Sequence, residues 1–400
     1  MESKKIMILG ASILQLPAIL KAKELGLQVI TVDYDNKAIG HQHSDICEIV
    51  STLDIPKVVD IAKKHKINGV MTLASDMPLR TVATVAKELG LASITEETAM
   101  NATNKGVMRD ILKVNGVPEP LYYKVSSKEA YSNVVKKFDR KCIVKPVDNS
   151  GSRGVYLIED VENSSQVDAA FTYSQKYSRS GDIIVEEYMS GEEVSVETIS
   201  VDGKVHVIAI TDKLTTGAPN FVEMGHSQPS RHSKEVKKRV SEVTSMAVKA
   251  LGIKDGPSHT EIMITKDGPK VIEIGARLGG DNITTHLTPL STGVNMVECC
   301  IRIALGEKPE IIPKINKGSA IRYLRTQPGV LVSIEGINDL NNVEGVKQVS
   351  FVKEIGDKVG AIRNSLDRLG FVIAESNDAA NAIRICEEAI ERLDIIVEEK

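Results

Sequence analysis

The chain has 400 residues, 42% of them hydrophobic and 26% charged, values that exclude a disordered polymer and leave room for two or three domains with cores of their own. A formal net charge of −4, with no basic run and no interleaving of basic and aromatic residues, gives no footing for a nucleic-acid partner. No window approaches the roughly 18 continuous apolar residues of a membrane-spanning helix, and the five cysteines, Cys47, Cys142, Cys299, Cys300 and Cys386, lack CxxC spacing, which fits a reducing, cytoplasmic compartment.

Lys4-Lys5 followed by IMILGASILQLPAIL has the outline of a signal peptide, but Gly10, Ser12, Gln15 and Pro17 interrupt the apolar run, and strand, turn and helix describe it better. KIMILG is read as a buried strand, residues 15–25 as a helix closed by Gly26, and QVITVD as a second strand ending at Asp33. The alternation continues with CEIV, a helix over 55–65, GVMTL over 69–73 and a helix over 79–89. This order calls for a small doubly wound domain with a parallel sheet, and residues 1–102 are assigned to it. GASILQ lacks the second and third glycines of GxGxxG, so dinucleotide binding is rejected. Ser75 and Asp76 lie at a strand end where ligands sit in such sheets, and a helix N-terminal turn would use the same residue types.

TNKGVMRDILKVN (103–115) reads as a helix on which Lys105 and Arg109 share one face, either around an anion or in water. Pro118 and Pro120 mark a turn, and a helix is expected over 127–138. Then comes CIVKPVDNSGSRGV (142–155): a strand carrying Lys145, a loop holding Ser150, Gly151, Ser152 and Gly154, and a second strand. Backbone N–H groups in such a loop can turn together toward phosphate oxygens, with Lys145 as the point charge. It is not a P-loop, because GxxxxGK[ST] and a following helix are both missing.

A helix over 163–176 precedes DIIVEEYM (182–189) and EEVSVETI, whose acids suit either an exposed edge or a hinge for an adenine edge and a ribose. Asp202-Gly203 is a hairpin turn leading into KVHVIAITDK, residues 214–231 read as a long polar loop, and an amphipathic helix spans 233–251. In HTEIMITKDGPKVIEIGARLGGD (259–281), a three-residue loop Lys266-Asp267-Gly268 would set Glu261 opposite Glu273. Facing carboxylates repel, and Mg²⁺ with phosphate oxygens is the natural remedy; a two-residue loop would slip the register and undo the pairing. Arg277 brings a fork of donors to the same place, and Gly279-Gly280-Asp281 is expected to open a helix whose free N–H groups hold an anion. Beyond Gly306 the motifs thin out; SAIRYL, QVSFV, GFVIAES and a helix over 379–393 suggest a small αβ domain over 307–400 packed on the main one.

Taken in order, these motifs resemble the ATP-grasp ligases over about residues 1–305. The resemblance implies an α/β fold: the N-terminal parallel-sheet domain, an ATP-grasp domain over 103–306 with antiparallel sheets around the ATP cleft and a lid over roughly 118–185, and the small C-terminal domain. It implies that Lys105 and Lys145 bind phosphate, that the loop from Ser150 to Gly154 covers ATP, and that Glu186, Glu187, Tyr188 and Met189 form the adenine hinge, with Glu193 on the ribose. Glu261 and Glu273 would hold one or two Mg²⁺ ions, with Mn²⁺ as an alternative ion, and Arg277 would act at the transferred phosphate. Many members carry Asn two residues after the second acid, where this chain has Gly275. Within the family, FVEMGHSQPS and EIGARLGGD are most similar to the L-amino-acid ligases, on which basis Glu223, His226, Arg277, Gly279 and Gly280 would meet the substrates. The expected activity is joining a carboxylate to an amine through an acyl-phosphate, with small-molecule partners, no nucleic acid or membrane, and a homodimer left open. The rival readings are a purine-pathway ligase or formate-using transformylase, and a nucleotide-binding module without turnover.

Overall fold

The computed structural model describes residues 3–340 and 342–398. The first quarter alternates strand and helix: β1 (Lys5–Leu9), α1 (Leu16–Glu24), β2 (Gln28–Asp33), β3 (Ile46–Ile49), α2 (Ile55–His65), β4 (Gly69–Met71) and α3 (Leu79–Leu89). The strands form a parallel sheet in the order β3-β2-β1-β4. Ile6 and Ile8 pack into one core while Met7 and Leu9 pack into another, so the sheet is covered on both faces at its centre and β1 reads as an unbroken apolar run. Strand order reverses between β1 and β4, which opens a crevice at their C-terminal ends. Asp76 lies just past β4, on that side.

Helices α4 (Glu96–Thr103) and α5 (Lys105–Val114) lead out of this unit, and Asn104 caps α5 by accepting from the N–H groups of Gly106 and Val107. An antiparallel sheet in the order β5-β8-β6-β7 then forms from β5 (Tyr122–Val125), β6 (Cys142–Pro146), β7 (Tyr156–Ile158) and β8 (Ile183–Glu187), backed by α6 (Lys128–Val135) and α7 (Ser164–Tyr177). Tyr131, Val144, Ile158 and Phe171 give it a core of its own.

The largest sheet has eight strands in the order β13-β12-β9-β10-β11-β14-β18-β16. Its first part comprises β9 (Glu192–Val201), β10 (Lys204–Thr215), β11 (Glu223–Gln228), β12 (Gly256–Thr265) and β13 (Gly268–Gly275), with α8 (Lys234–Ala250) packed against it. The expected polar loop over 214–231 is thus corrected: β10 runs on to Thr215, and EMGHSQ is the strand β11, flanked by β10 and β14. The sequence hides it because the strand is buried yet polar. Gln228 donates to Thr211 Oγ1 at 2.8 Å and Thr288 Oγ1 at 3.1 Å and accepts from Ser291 Oγ at 2.8 Å, so burial needs no apolar pattern here.

After α9 (Thr288–Thr292) and α10 (Met296–Ala304) come β14 (Gly318–Tyr323), β15 (Gly329–Glu335), α11 (Ile337–Leu340), β16 (Val346–Phe351), β17 (Lys358–Val359), β18 (Gly370–Ser376), α12 (Ala379–Glu391) and β19 (Asp394–Glu398). This region does more than pack on the main body, because β14 pairs with β11 and carries β18 and β16 into the same sheet. Helix α12 lays Ala382, Cys386 and Ala389 on Ala320, Val372 and Ala374 of that sheet, and β17, β15 and β19 form a separate small sheet. Among the described residues no helix is long and apolar enough to cross a membrane.

Candidate active site

The hairpin of β12 and β13 sets two carboxylates face to face by a route the sequence does not reveal. Thr265 pairs with Gly268, so the loop is the two residues Lys266-Asp267 and not the expected three. That loop alone would leave Glu273 one position out of step. A β-bulge restores it: Ile262 pairs with Val271 but Glu261 pairs with Glu273, and Ile272 is the extra residue. Each acid also has a lysine. Lys105 Nζ donates to Glu273 Oε1 at 2.7 Å and to the carbonyl of Asn149 at 2.7 Å, and Lys213 Nζ donates to Glu261 Oε1 at 3.0 Å.

Lys213, which the motif reading missed, is the hub of an acidic group. It also donates to Glu193 and lies 3.5 Å from Glu223. Burial would lower its pKa, but Glu193, Glu261 and Glu223 hold it well above the usual lysine range, so it stays cationic. Glu261 is driven the other way: burial opposes its charge, and Lys213 with His259 keeps it well below the usual carboxylate range.

Lys145 is 6% exposed and donates to Glu186 Oε2 at 2.7 Å. Burial pulls its pKa down, with the cations Arg109 and Lys105 adding to the fall and Glu186 and Glu273 opposing it. Glu186 accepts from Arg109 Nε at 2.7 Å as well. Burial alone would raise its pKa, yet the two cations bring it down to about 2. Of the two readings of the Lys105 and Arg109 face, the solvated one is corrected here: Lys105 reaches the Glu273 carboxylate, while Arg109 is 1% exposed and turned into this buried ion pair. In the loop between β6 and β7, Gly151, Ser152 and Gly154 have φ of 65°, 57° and 82°. A Cβ at Gly154 would come within 2.7 Å of Tyr177 Cβ and 2.9 Å of Pro146 Cδ, so only glycine fits there. Ser150 donates its N–H to Asn149 Oδ1 at 2.9 Å.

A cavity of about 330 Å³ opens beside the end of β8, lined by Tyr188, Met189, Gly191, Glu193, Lys213 and Phe221 among others. Glu187 points elsewhere: its carboxylate accepts from Lys270 Nζ at 3.1 Å and from the N–H of Leu121 at 3.1 Å.

At the other end of the cleft, Arg277 grips Asp76, with Nε to Oδ1 at 2.8 Å and a second bond to Oδ2 at 3.2 Å. Asp76 therefore faces the cleft from the N-terminal sheet. It also accounts for Gly275, since a Cβ there would lie 2.9 Å from Asp76 Oδ1 and 3.3 Å from Arg277 Nε. The space an asparagine would need is filled by this ion pair. The helix expected after Gly279-Gly280-Asp281 is present. Asp281 and Asn282 have φ of 50° and 62° and lead into a π-helical turn over Ile283–Leu287 that runs straight on into α9, so a helical run does open there, two residues later than expected. A Cβ on Gly279 would meet His259 and Glu197, and Gly280 is open. Asp281 accepts two bonds from Arg368, both 2.8 Å, and stands 3.5 Å from His226 Nε2. Arg368 also lies 3.7 Å over the Tyr323 ring and donates to the carbonyl of Glu223 at 3.2 Å. The C-terminal region thus reaches the cleft, where no cluster was expected.

His259 is held between Glu197 Oε1, at 2.6 Å from Nδ1, and Glu261 Oε1, at 3.7 Å from Nε2. Burial would lower its pKa, but the carboxylates raise it to about 9. A raised histidine pKa stabilises the fold fully below the unfolded value near 6.5, and the contribution is lost as pH rises toward 9. His259→Gln is therefore expected to flatten the decline in unfolding free energy between those pH values, a change of about 2–3 kcal/mol in urea titrations.

Residues 138–285 match the ATP-grasp domain family, and residues 322–398 match the L-amino acid ligase C-terminal domain 2. The solved L-amino acid ligase from Bacillus licheniformis superimposes with a TM-score of 0.84 at 26% identity, covering 100% of both chains. The chain is an ATP-grasp ligase. The L-arginine-specific L-amino acid ligase of Bacillus subtilis is 23% identical over 363 residues, 86% of this ligase and 85% of that protein. A phosphoribosylglycinamide synthetase from Anaerococcus prevotii shares the fold at a TM-score of 0.80 and 20% identity, covering 99% of this chain and 100% of its own. The ligase is accordingly an ATP-dependent enzyme of carbon–nitrogen bond formation, of the carboxylate–amine kind.

Proposed function

We propose that this ligase activates an amino acid at its carboxylate by phosphoryl transfer from ATP and then passes the acyl group to the amine of a second amino acid. The observation that carries the reading is the cluster built on the β12–β13 hairpin: Glu261 pairs with Glu273, Lys105 donates to Glu273 at 2.7 Å and Lys213 to Glu261 at 3.0 Å, and Lys145 joins α5 through Glu186 and Arg109, both contacts at 2.7 Å. The match of residues 322–398 to an L-amino acid ligase domain supports amino acids over a ribonucleotide amine.

In this reading the cavity beside Tyr188 and Met189 takes the nucleoside, with Glu193 at the ribose. Lys105, Lys145 and the Ser150–Gly154 loop cradle the phosphates. Mg²⁺ suits the acids, because it is commonly held by one or two carboxylates and completed by phosphate oxygens. Glu261 and Glu273 face each other and each already draws a cation, while among the described residues no group of three or more His, Cys, Asp or Glu could hold a metal alone. When bound, such an ion neutralises charge on the phosphoryl group.

The substrate carboxylate attacks the γ-phosphorus, the bond to the β–γ bridging oxygen breaks and ADP leaves. The amine then attacks the acyl carbon, phosphate departs with one former carboxylate oxygen, and the amine proton is lost to solvent or a nearby base. Lys105, Lys145 and Arg277 contribute alignment and charge, and the lid excludes water that would hydrolyse the intermediate. Arg277 and the Glu223, His226, Gly279 and Gly280 surroundings form the substrate end. A screen of amino-acid pairs with ATP and Mg²⁺ tests this: ADP and dipeptide should appear in equal amounts for at least one pair. ADP formed only with a ribonucleotide amine, or none with any acid and amine, would overturn it.

A further inference from the structure

We infer that Arg109 is a positioning residue that fixes the spacing between the two facing acids and the buried lysine. Its guanidinium donates in three directions from α5: Nε to Glu186 Oε1 at 2.7 Å, one terminal nitrogen to the carbonyl of Val271 at 3.0 Å, and the other to the carbonyl of Ile272 at 2.8 Å. Ile272 is the bulged residue that brings Glu273 into line with Glu261. A bulge leaves its extra residue outside the ladder, so an unclamped β13 could slide back to the register that its two-residue loop favours. In that register Ile272, and not Glu273, would oppose Glu261.

Arg109 is suited to this because its fork is planar and permanently charged, and because it is buried where water cannot take its place. Lys105, one turn earlier on the same helix, holds the Glu273 carboxylate itself, so α5 grips β13 by backbone and by side chain. The remaining donor of Arg109 orients Glu186, the partner of Lys145 on β6. One side chain therefore ties together the strand of the acids, the strand of the hinge and the strand of the phosphate lysine. Glu119, partly buried and 3.9 Å from the guanidinium, adds a second carboxylate to its surroundings.

The inference rests on the reading of Glu261 and Glu273 as metal ligands, and the test separates the two. Arg109→Lys keeps a positive charge for Glu186 but cannot reach both carbonyls. Amide exchange in a peptide covering 271–275 is expected to quicken about tenfold or more in this variant; unchanged exchange would overturn the clamp whatever the acids bind. Mn²⁺ binding to the complex with a non-hydrolysable ATP analogue, followed by electron paramagnetic resonance, should weaken about tenfold, while metal-free binding of the analogue changes by less than about twofold. Equal loss of both, in step with loss of folded protein by circular dichroism, would reduce Arg109 to a structural residue and overturn the inference. Should Arg109→Lys fold poorly, the charge-matched pair Arg109→Met with Glu186→Gln carries the exchange measurement with the same expected and contrary results. Glu273→Gln is measured alongside: unaltered Mn²⁺ binding there would contradict the metal reading, leaving the exchange result to decide the clamp.

Discussion

Replacing Glu273 with alanine is expected to lower ADP formation by about 10³-fold or more, measured by coupled ADP release at saturating ATP. Glu273 supplies half of the facing acid pair and the partner of Lys105, so under the proposed function its loss removes a metal ligand and frees a cation in one change. Little stability should go with it, because its side chain is 27% exposed and Lys105 keeps the Asn149 carbonyl. Glu273→Gln should fail almost as badly, since shape is preserved and only charge is lost. ADP release at the wild-type rate in either variant would remove Glu273 from the site.

Lys145→Met should reduce ADP formation by about 10²–10³-fold. Here a stability cost is expected too. Glu186 is buried between Lys145 and Arg109, and removing one partner leaves a carboxylate with half its compensation. Breaking a buried pair costs about 3–5 kcal/mol, and with Arg109 still bonded the lower end applies, about 3 kcal/mol in urea unfolding. Pairing the change with Glu186→Gln should recover much of the stability without the activity. Recovery of ADP formation in that double variant would show that Lys145 served only to neutralise Glu186.

How each contact is encoded decides whether the sequence discloses or conceals it. The parallel sheet is legible because β1, β2 and β4 put apolar residues on both faces, and the sheet of β5 to β8 because apolar residues precede Lys145 on β6 and recur on β7. Strand β11 is concealed because its C-terminal half is polar though buried, and the bonds of Gln228 to Thr211, Thr288 and Ser291 that offset its burial lie far away in sequence, where local patterning cannot show them. The facing of Glu261 and Glu273 depends on a bulge at Ile272, and nothing local in VIEIG announces it; the clue is Arg109, 163 positions away from Ile272. Lys213 and Arg368 escaped notice for a similar reason, and Asp76 is read at a strand end without its partner Arg277. Each sits in no motif and acquires its meaning only when the fold brings Glu261, Arg277 or Asp281 to it.

The most direct test of phosphoryl transfer to a substrate carboxylate uses an amino acid labelled with ¹⁸O in that group, supplied with ATP, Mg²⁺ and the partner that gives ADP. One labelled oxygen per turnover should emerge in the released phosphate. Label in AMP, or phosphate carrying none, would contradict the account.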